Sequence, residues 1–256
     1  MRYNFAGRLL RAALLSAVLY MPGIGSAADE DNLALTILRK ADQIRFPGEG
    51  FQVDVSITTS SKSSAESPDA RKYRILSKGN ENTIVMVTEP AAERGQIMLM
   101  KGRDLWIFLP SVSQPVRLSL AQRLTGQVAN GDLARANFTG DYTPQILRTD
   151  IVDGEKYYVL ELTAVDRSVT YHRVLYWVKE SNAWPYRAEF YSLSGRLLKT
   201  CRYESYQKVL NTMRPTRLVM EDALRKGEES VLEYSGMRLR DLPDRVFTKD
   251  YLNRLQ

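Results

Sequence analysis

The feature that most constrains this chain is a series of short apolar runs separated by glycine turns. "RKYRILS" and "NTIVMVTEP" flank "KGNE", and "GQIMLM" and "DLWIFLP" flank "KGR". Further on, "GEKYYVLELTAV" precedes "YHRVLYWVKE", "PYRAEFYS" and "RLLKTCRYESY" flank "LSG", and "RPTRLVMEDAL" and "ESVLEYSGMRL" flank "RKGE". Strand, glycine turn, strand is the signature of hairpins joined into an antiparallel meander. Counting the alternating run "FQVDVSIT", which sets Phe51, Val53, Val55 and Ile57 on one side, about ten to eleven strands are expected. A sheet of that size does not stay flat and uncurled.

Helical spacing is expected at three places. "DEDNLALTILRKADQIRFPG" carries Leu33, Ile37, Ala41 and Ile44 at helical intervals, with Asp29 or Asp31 as its cap and Pro47-Gly48 as its stop. Residues 119–147 show patchy spacing at Leu120, Leu124, Val128 and Leu133, which reads as one or two short helices inserted between strands. Thr248 offers a cap for a final turn or two. "SSKSSAESPDARK" reads as a polar loop. With no linker and no fixed repeat, the economical reading is one α+β domain over residues 28–256.

Residues 1–27 read as a secretory signal peptide. Arg2, Arg8 and Arg11 precede the apolar run "AALLSAVLYM", and small residues fit cleavage after Ala27 or one residue later. That run is short for an uncleaved membrane anchor. The expected location is the periplasm. Without residues 1–27, which hold three arginines and no acid, 33 basic and 30 acidic residues leave a charge of +3. The charges are interleaved, so no nucleic-acid partner is expected.

Catalytic chemistry finds little support. The single histidine, His172, has no orienting acid on its own strand, and one His with one Cys makes no zinc-type cluster. Cys201 has no partner for an intramolecular disulfide and reads as a small buried apolar residue. No nucleophile elbow, phosphate-cradling loop or dinucleotide fingerprint occurs. The expectation is a protein that is not an enzyme and needs no cofactor.

The hairpin through "KGR" is unusually greasy. Leu105 to Leu109 form an unbroken apolar row, so both faces of that strand must be covered. Methionine suits adaptable apolar surfaces. Alternation leaves open which face looks inward; the reading chosen groups Met98, Met100, Trp106 and Phe108 as the lining of an apolar cavity.

"GQIMLMKGRDLWIFLPSVSQPVRLSLAQRLTGQ", "VLYWVKESNAWPYRAEFYSLSGRLLKT" and "RPTRLVMED…FTKDYLNRL" together resemble, in order and spacing, the LolA-like superfamily of outer-membrane lipoprotein-sorting proteins. Where some members carry a "G-S-D-F-x-x-E-D-L"-like stretch, this chain keeps Gly131-Asp132 without the paired acids. The resemblance implies an unclosed, strongly curved antiparallel barrel with helices as a lid over its concave side, and an apolar cavity between them that takes acyl chains. It implies a monomeric carrier of a lipid or lipoprotein, loaded by an inner-membrane transporter, such as one of the resistance–nodulation–division type, and unloaded at an outer-membrane acceptor. The same architecture also resembles periplasmic regulators that bind an anti-sigma factor, which is the alternative function.

Overall fold

The computed structural model describes Met1 and residues 27–61, 67–79, 81–112, 114–135, 137–225 and 227–252. The proposed signal peptide lies almost wholly outside the described residues, as do residues 62–66 of the expected polar loop at residues 60–72, whose ends belong to strands running to Ser61 and from Asp69. A 19-residue helix, α1 (Ala27–Arg45), comes first and begins ahead of both Asp29 and Asp31, the expected start. Its inner stripe is Ala34, Ile37, Leu38 and Ala41, all buried, while Leu33 is turned to solvent. The stripe keeps helical spacing but is rotated by one residue from the expected one.

Five strands follow: β1 (Phe51–Ser61), β2 (Asp69–Lys78), β3 (Asn82–Glu89), β4 (Ile97–Lys101) and β5 (Asp104–Phe108). The short β6 (Val116–Leu118), β7 (Arg123–Thr125) and β8 (Val128–Ala129) lead into a one-turn helix, α2 (Asn130–Ala134). Then come β9 (Tyr142–Val152), β10 (Glu155–Ala164), β11 (Arg173–Lys179) and β12 (Pro185–Tyr191). The long β13 (Leu197–Val209), β14 (Thr212–Asp222) and β15 (Glu228–Leu239) precede a terminal turn, α3 (Lys249–Leu252).

Thirteen strands form one sheet in the order β6-β5-β4-β3-β2-β1-β15-β14-β13-β12-β11-β10-β9, and every pairing is antiparallel. The sheet is larger than the expected ten to eleven strands. Its end strands, β6 and β9, do not pair with each other, so the barrel is unclosed. The sheet nonetheless curls far enough to bring its two ends together. Arg103, in the β4–β5 turn, donates from Nε to Asp141 Oδ1 at 2.9 Å and from Nη2 to the Gly140 carbonyl at 3.0 Å, just ahead of β9. The exposed end strand β9 accommodates Pro144, which has no N–H to donate to a ladder.

The 119–147 segment departs from expectation. Leu124 and Val128 belong to the β7–β8 hairpin, whose Gly126 has φ +50°, and only α2 is helical. A tight turn with positive φ ends the helical spacing before it can propagate.

The two faces of the sheet carry different clusters. Phe51, Val53, Val55 and Ile57 point into the main core as their alternation requires, beside the inner stripe of α1 and with Val174, Tyr176 and Val178 of β11. On the outer face, Leu175 and Trp177 of β11 pack with Tyr157 and Val159. The C-terminal segment lays Leu242, Val246, Phe247 and Leu252 on the outer face of β4 and β5. That segment explains the unbroken apolar row: the protein's own tail covers one face, and the interior covers the other.

Candidate functional site

Hairpin register decides what faces the interior. Gly102, with φ +61°, turns the chain in two residues and pairs Lys101 with Asp104. Met98 then lies opposite Ile107, Met100 opposite Leu105, Leu99 opposite Trp106 and Ile97 opposite Phe108. Met98, Met100 and Leu105 belong to the main core, whereas Trp106 and Phe108 pack outward against the C-terminal segment. The expected grouping of all four residues on one face is therefore corrected. Met98 and Met100 look inward, with Leu105 and Ile107 rather than Trp106 and Phe108 as their neighbours.

The lid over the interior is clasped by polar groups. The Asp42 carboxylate on α1 accepts the Phe138 N–H at 3.1 Å, the Thr139 N–H at 2.7 Å and the Thr139 hydroxyl at 2.7 Å. This ties the helix to the loop between α2 and β9. Arg214 of β14 donates to the Gln43 and Ile44 carbonyls at 2.6 and 3.0 Å, satisfying acceptors that the end of α1 leaves free. Burial pushes the Asp42 carboxyl up, and Arg45 and the Thr139 and Phe138 donors pull it back. The Arg45 guanidinium lies 3.9 Å from Asp42 and over the rings of Phe46, Phe138 and Tyr203 at 5.6, 5.0 and 5.4 Å. Burial above all pushes the Cys201 thiol up to about 12, against weaker pulls from Lys199 and Arg45 and with a small push from Asp132. That makes it a packing residue, in line with its expected role.

A second polar cluster joins α2 to the wall. Lys199 of β13 donates to Asp132 Oδ2 at 2.6 Å and to the Gln127 carbonyl at 2.6 Å. Asp132 also accepts the Tyr171 hydroxyl at 2.8 Å and the Ala129 N–H at 2.7 Å. Gly131 permits the approach, since a Cβ there would lie 2.0 Å from Thr170 Oγ1. The sequence singled out Gly131-Asp132 but carried no signal for the partner 67 residues away.

With α1 seated, the hollow implied by the resemblance is largely filled by the protein's own side chains. Among the described residues, voids of about 20 Å³ remain under the lid beside Phe51 and Tyr234 and beside Arg45 and Tyr203. Three larger spaces open to the surface. A groove of about 500 Å³ runs along α1 past Leu33, Ile37 and Ile44 to Ala183. A chamber of about 220 Å³ is floored by Tyr73, Val87, Met98, Ile107, Leu118 and Leu124. Another of about 220 Å³ lies between the β7–β8 hairpin and β13, with Lys199 in its wall. Met98 thus lines an open chamber of mixed character, apolar at its floor and polar at Arg71, Glu93, Gln96, Gln122, Arg123 and Asn130, and Met100 is wholly buried.

His172 is exposed. Among the described residues, no group of three or more His, Cys, Asp and Glu side chains is placed to hold a metal ion, and no helix is long and apolar enough to cross a membrane.

An unclosed antiparallel barrel with a helical lid clasped over an apolar concave face is a binding fold. The chain belongs to the LolA superfamily. It is 67% identical to a LolA superfamily protein from Nitrosomonas europaea whose crystal structure superposes with a TM-score of 0.82, covering 85% of this chain and 98% of that one. The fold is shared at lower identity by two further crystal structures. A DUF1329 family protein from Desulfovibrio piger is 21% identical, with TM-score 0.74 and coverage of 87% and 99%. A putative outer membrane lipoprotein-sorting protein domain from Vibrio parahaemolyticus is 20% identical, with TM-score 0.73 and coverage of 88% and 100%. A family profile described only as that of an uncharacterized protein matches residues 79–254. No curated protein matches the chain.

Proposed function

We propose that this protein is a periplasmic carrier that holds acyl chains of a lipid or lipoprotein and shuttles them toward the outer membrane. The observation that carries this reading is the open chamber floored by Met98 and Ile107, whose apolar floor belongs to the core of the unclosed barrel and whose remaining lining, Arg71, Glu93, Gln96, Gln122, Arg123 and Asn130, is polar. Membership of the LolA superfamily supports it.

Energetics supports a carrier that loads by displacing α1. One long acyl chain leaving water contributes on the order of 10 kcal/mol, at about 0.8 kcal/mol per methylene. Exposing Ile37 and Leu38 opposes this by about 3–6 kcal/mol. Exchanging the Asp42 clasp for water adds about 0.5–1.5 kcal/mol per hydrogen bond. Gain and cost are of one size, which lets a carrier both accept and release its cargo. The groove along α1 is the entry that this motion would widen. Loading by an inner-membrane transporter, such as one of the resistance–nodulation–division type, and unloading at an outer-membrane acceptor complete the cycle.

The test is titration of delipidated protein with a fluorescent fatty acid. Saturable uptake is expected, together with co-purifying lipid in the mass spectrum of untreated protein. Met98→Asp should weaken uptake in protein that circular dichroism shows still folded, at a lower urea midpoint because the new carboxylate is buried without a partner. A folded, lipid-free sample with no saturable uptake sinks the carrier reading.

A further inference from the structure

The chamber beside Lys199 has a composition that the acyl-chain reading does not use. Its wall holds three basic residues, Arg123, Arg196 and Lys199, against one acid, Asp222. Arg123 and Arg196 are exposed, and among the described residues neither guanidinium makes an ion pair or side-chain hydrogen bond. Asp222 Oδ1 accepts the Leu224 and Arg225 N–H groups at 2.7 and 2.9 Å, which holds this carboxylate against its own turn, and the two arginines outnumber it. Asp132, which balances Lys199, is saturated by the Ala129, Tyr171 and Lys199 donors. Lys199 itself is 4% exposed and spends two donors on oxygen, while its third contact is the Met220 sulfur at 3.5 Å, a weak acceptor.

We propose that this chamber is an anion site for a phosphorylated head group, with Arg196 and Arg123 as the forked donors and the Lys199–Asp132 pair as part of its wall. Guanidinium groups bind phosphate oxygens in pairs through charge-assisted hydrogen bonds. Leu198 and Leu224, the latter 62% exposed, give the same chamber apolar contacts suited to the carbon next to a phosphate. Arg123 lines this chamber and also the one floored by Met98. One amphiphile can therefore set its phosphate on one side of the β7–β8 hairpin and its tail on the other. The tail placement rests on the carrier reading; the anion site stands without it.

The experiment compares dioctanoyl phosphatidic acid with dioctanoylglycerol, which has the same tails and no phosphate, by calorimetric titration of the full chain. A parallel arm measures the thermal midpoint in inorganic phosphate against chloride at equal ionic strength. The wild type is expected to bind the phosphatidic acid about tenfold or more tighter than the glyceride, and Arg196→Gln to bring that ratio toward one, with Arg196→Lys retaining part of it. Phosphate should raise the wild-type midpoint more than the Arg196→Gln midpoint. Phosphate binding without lipid binding upholds the anion site and overturns the carrier reading. Equal affinities for the two lipids, with no effect of free phosphate, overturn the anion site and leave the carrier reading standing. Failure of both lipids and of phosphate overturns both.

Discussion

Lys199 on β13 and Asp132 on α2 form a buried ion pair, Nζ to Oδ2 at 2.6 Å, with side chains only 5% and 7% exposed. Removing one partner leaves the other charged, buried and unpaired. Asp132→Ala is expected to cost about 3–5 kcal/mol, read as a lower midpoint in urea, and the double variant Asp132→Ala/Lys199→Met to recover part of that loss. A double variant no more stable than the single one would show that the pair is not the source of the cost.

The opposed faces of the β4–β5 hairpin predict opposite phenotypes. Met98→Asp should weaken acyl uptake, because Met98 floors the chamber. Trp106→Ala should leave uptake intact and cost about 2 kcal/mol of stability, because Trp106 packs against the C-terminal segment. Fluorescent fatty-acid titration and urea unfolding of each variant separate the two outcomes.

The close approach at Gly131 is a steric prediction. Gly131→Ala would place its Cβ 2.0 Å from Thr170 Oγ1 and 2.9 Å from its Cγ2. A loss of about 1–3 kcal/mol is expected. Thr170→Ala should restore part of it in the double variant, as a shift in the same urea midpoint.

Cys201 links stability to alkaline pH. Its thiol titrates near 12 in the folded chain against the ordinary value of 9.0. Between those values the folded state holds a proton that the unfolded state has lost, so stability falls as pH rises through that window. Cys201→Ala should unfold less steeply with pH above about 9, because it lacks this linkage. Thiol labelling of the wild type at pH 8 should await unfolding; rapid labelling of folded protein would contradict the burial.

Displacement of α1 depends on the Asp42 clasp. Asp42→Ala strands the Phe138 and Thr139 N–H groups that Asp42 now accepts. Hydrogen exchange at those two amides should quicken by about tenfold or more, since each lost bond is worth about 1–3 kcal/mol when its donor is buried. Unchanged exchange there would place the hinge of the lid elsewhere.

Much of the architecture was legible in the sequence because it is local. Phe51, Val53, Val55 and Ile57 alternate, glycine turns recur, and those two facts dictate a curled antiparallel sheet. The inward face of the β4–β5 hairpin was also within reach. A two-residue turn at Gly102-Arg103 pairs Lys101 with Asp104, and counting back from there puts Met98 against Ile107, not Trp106. The expected grouping missed this because it treated alternation on each strand without the turn that joins them. In residues 119–147, scattered leucines mimicked a helix, whereas the turn at Gly126 made a hairpin.

The sequence by itself determined the strands, their turns and the greasy hairpin, since these follow from side-chain alternation and backbone freedom over a few residues. Only the tertiary structure decided that Asp42 would clasp Thr139, that Lys199 would meet Asp132, and that Arg123 and Arg196 would line the same chamber. Such meetings bring together residues far apart in the chain. They depend on how sharply thirteen strands curl and on where a helix comes to rest across them, and no local pattern encodes either.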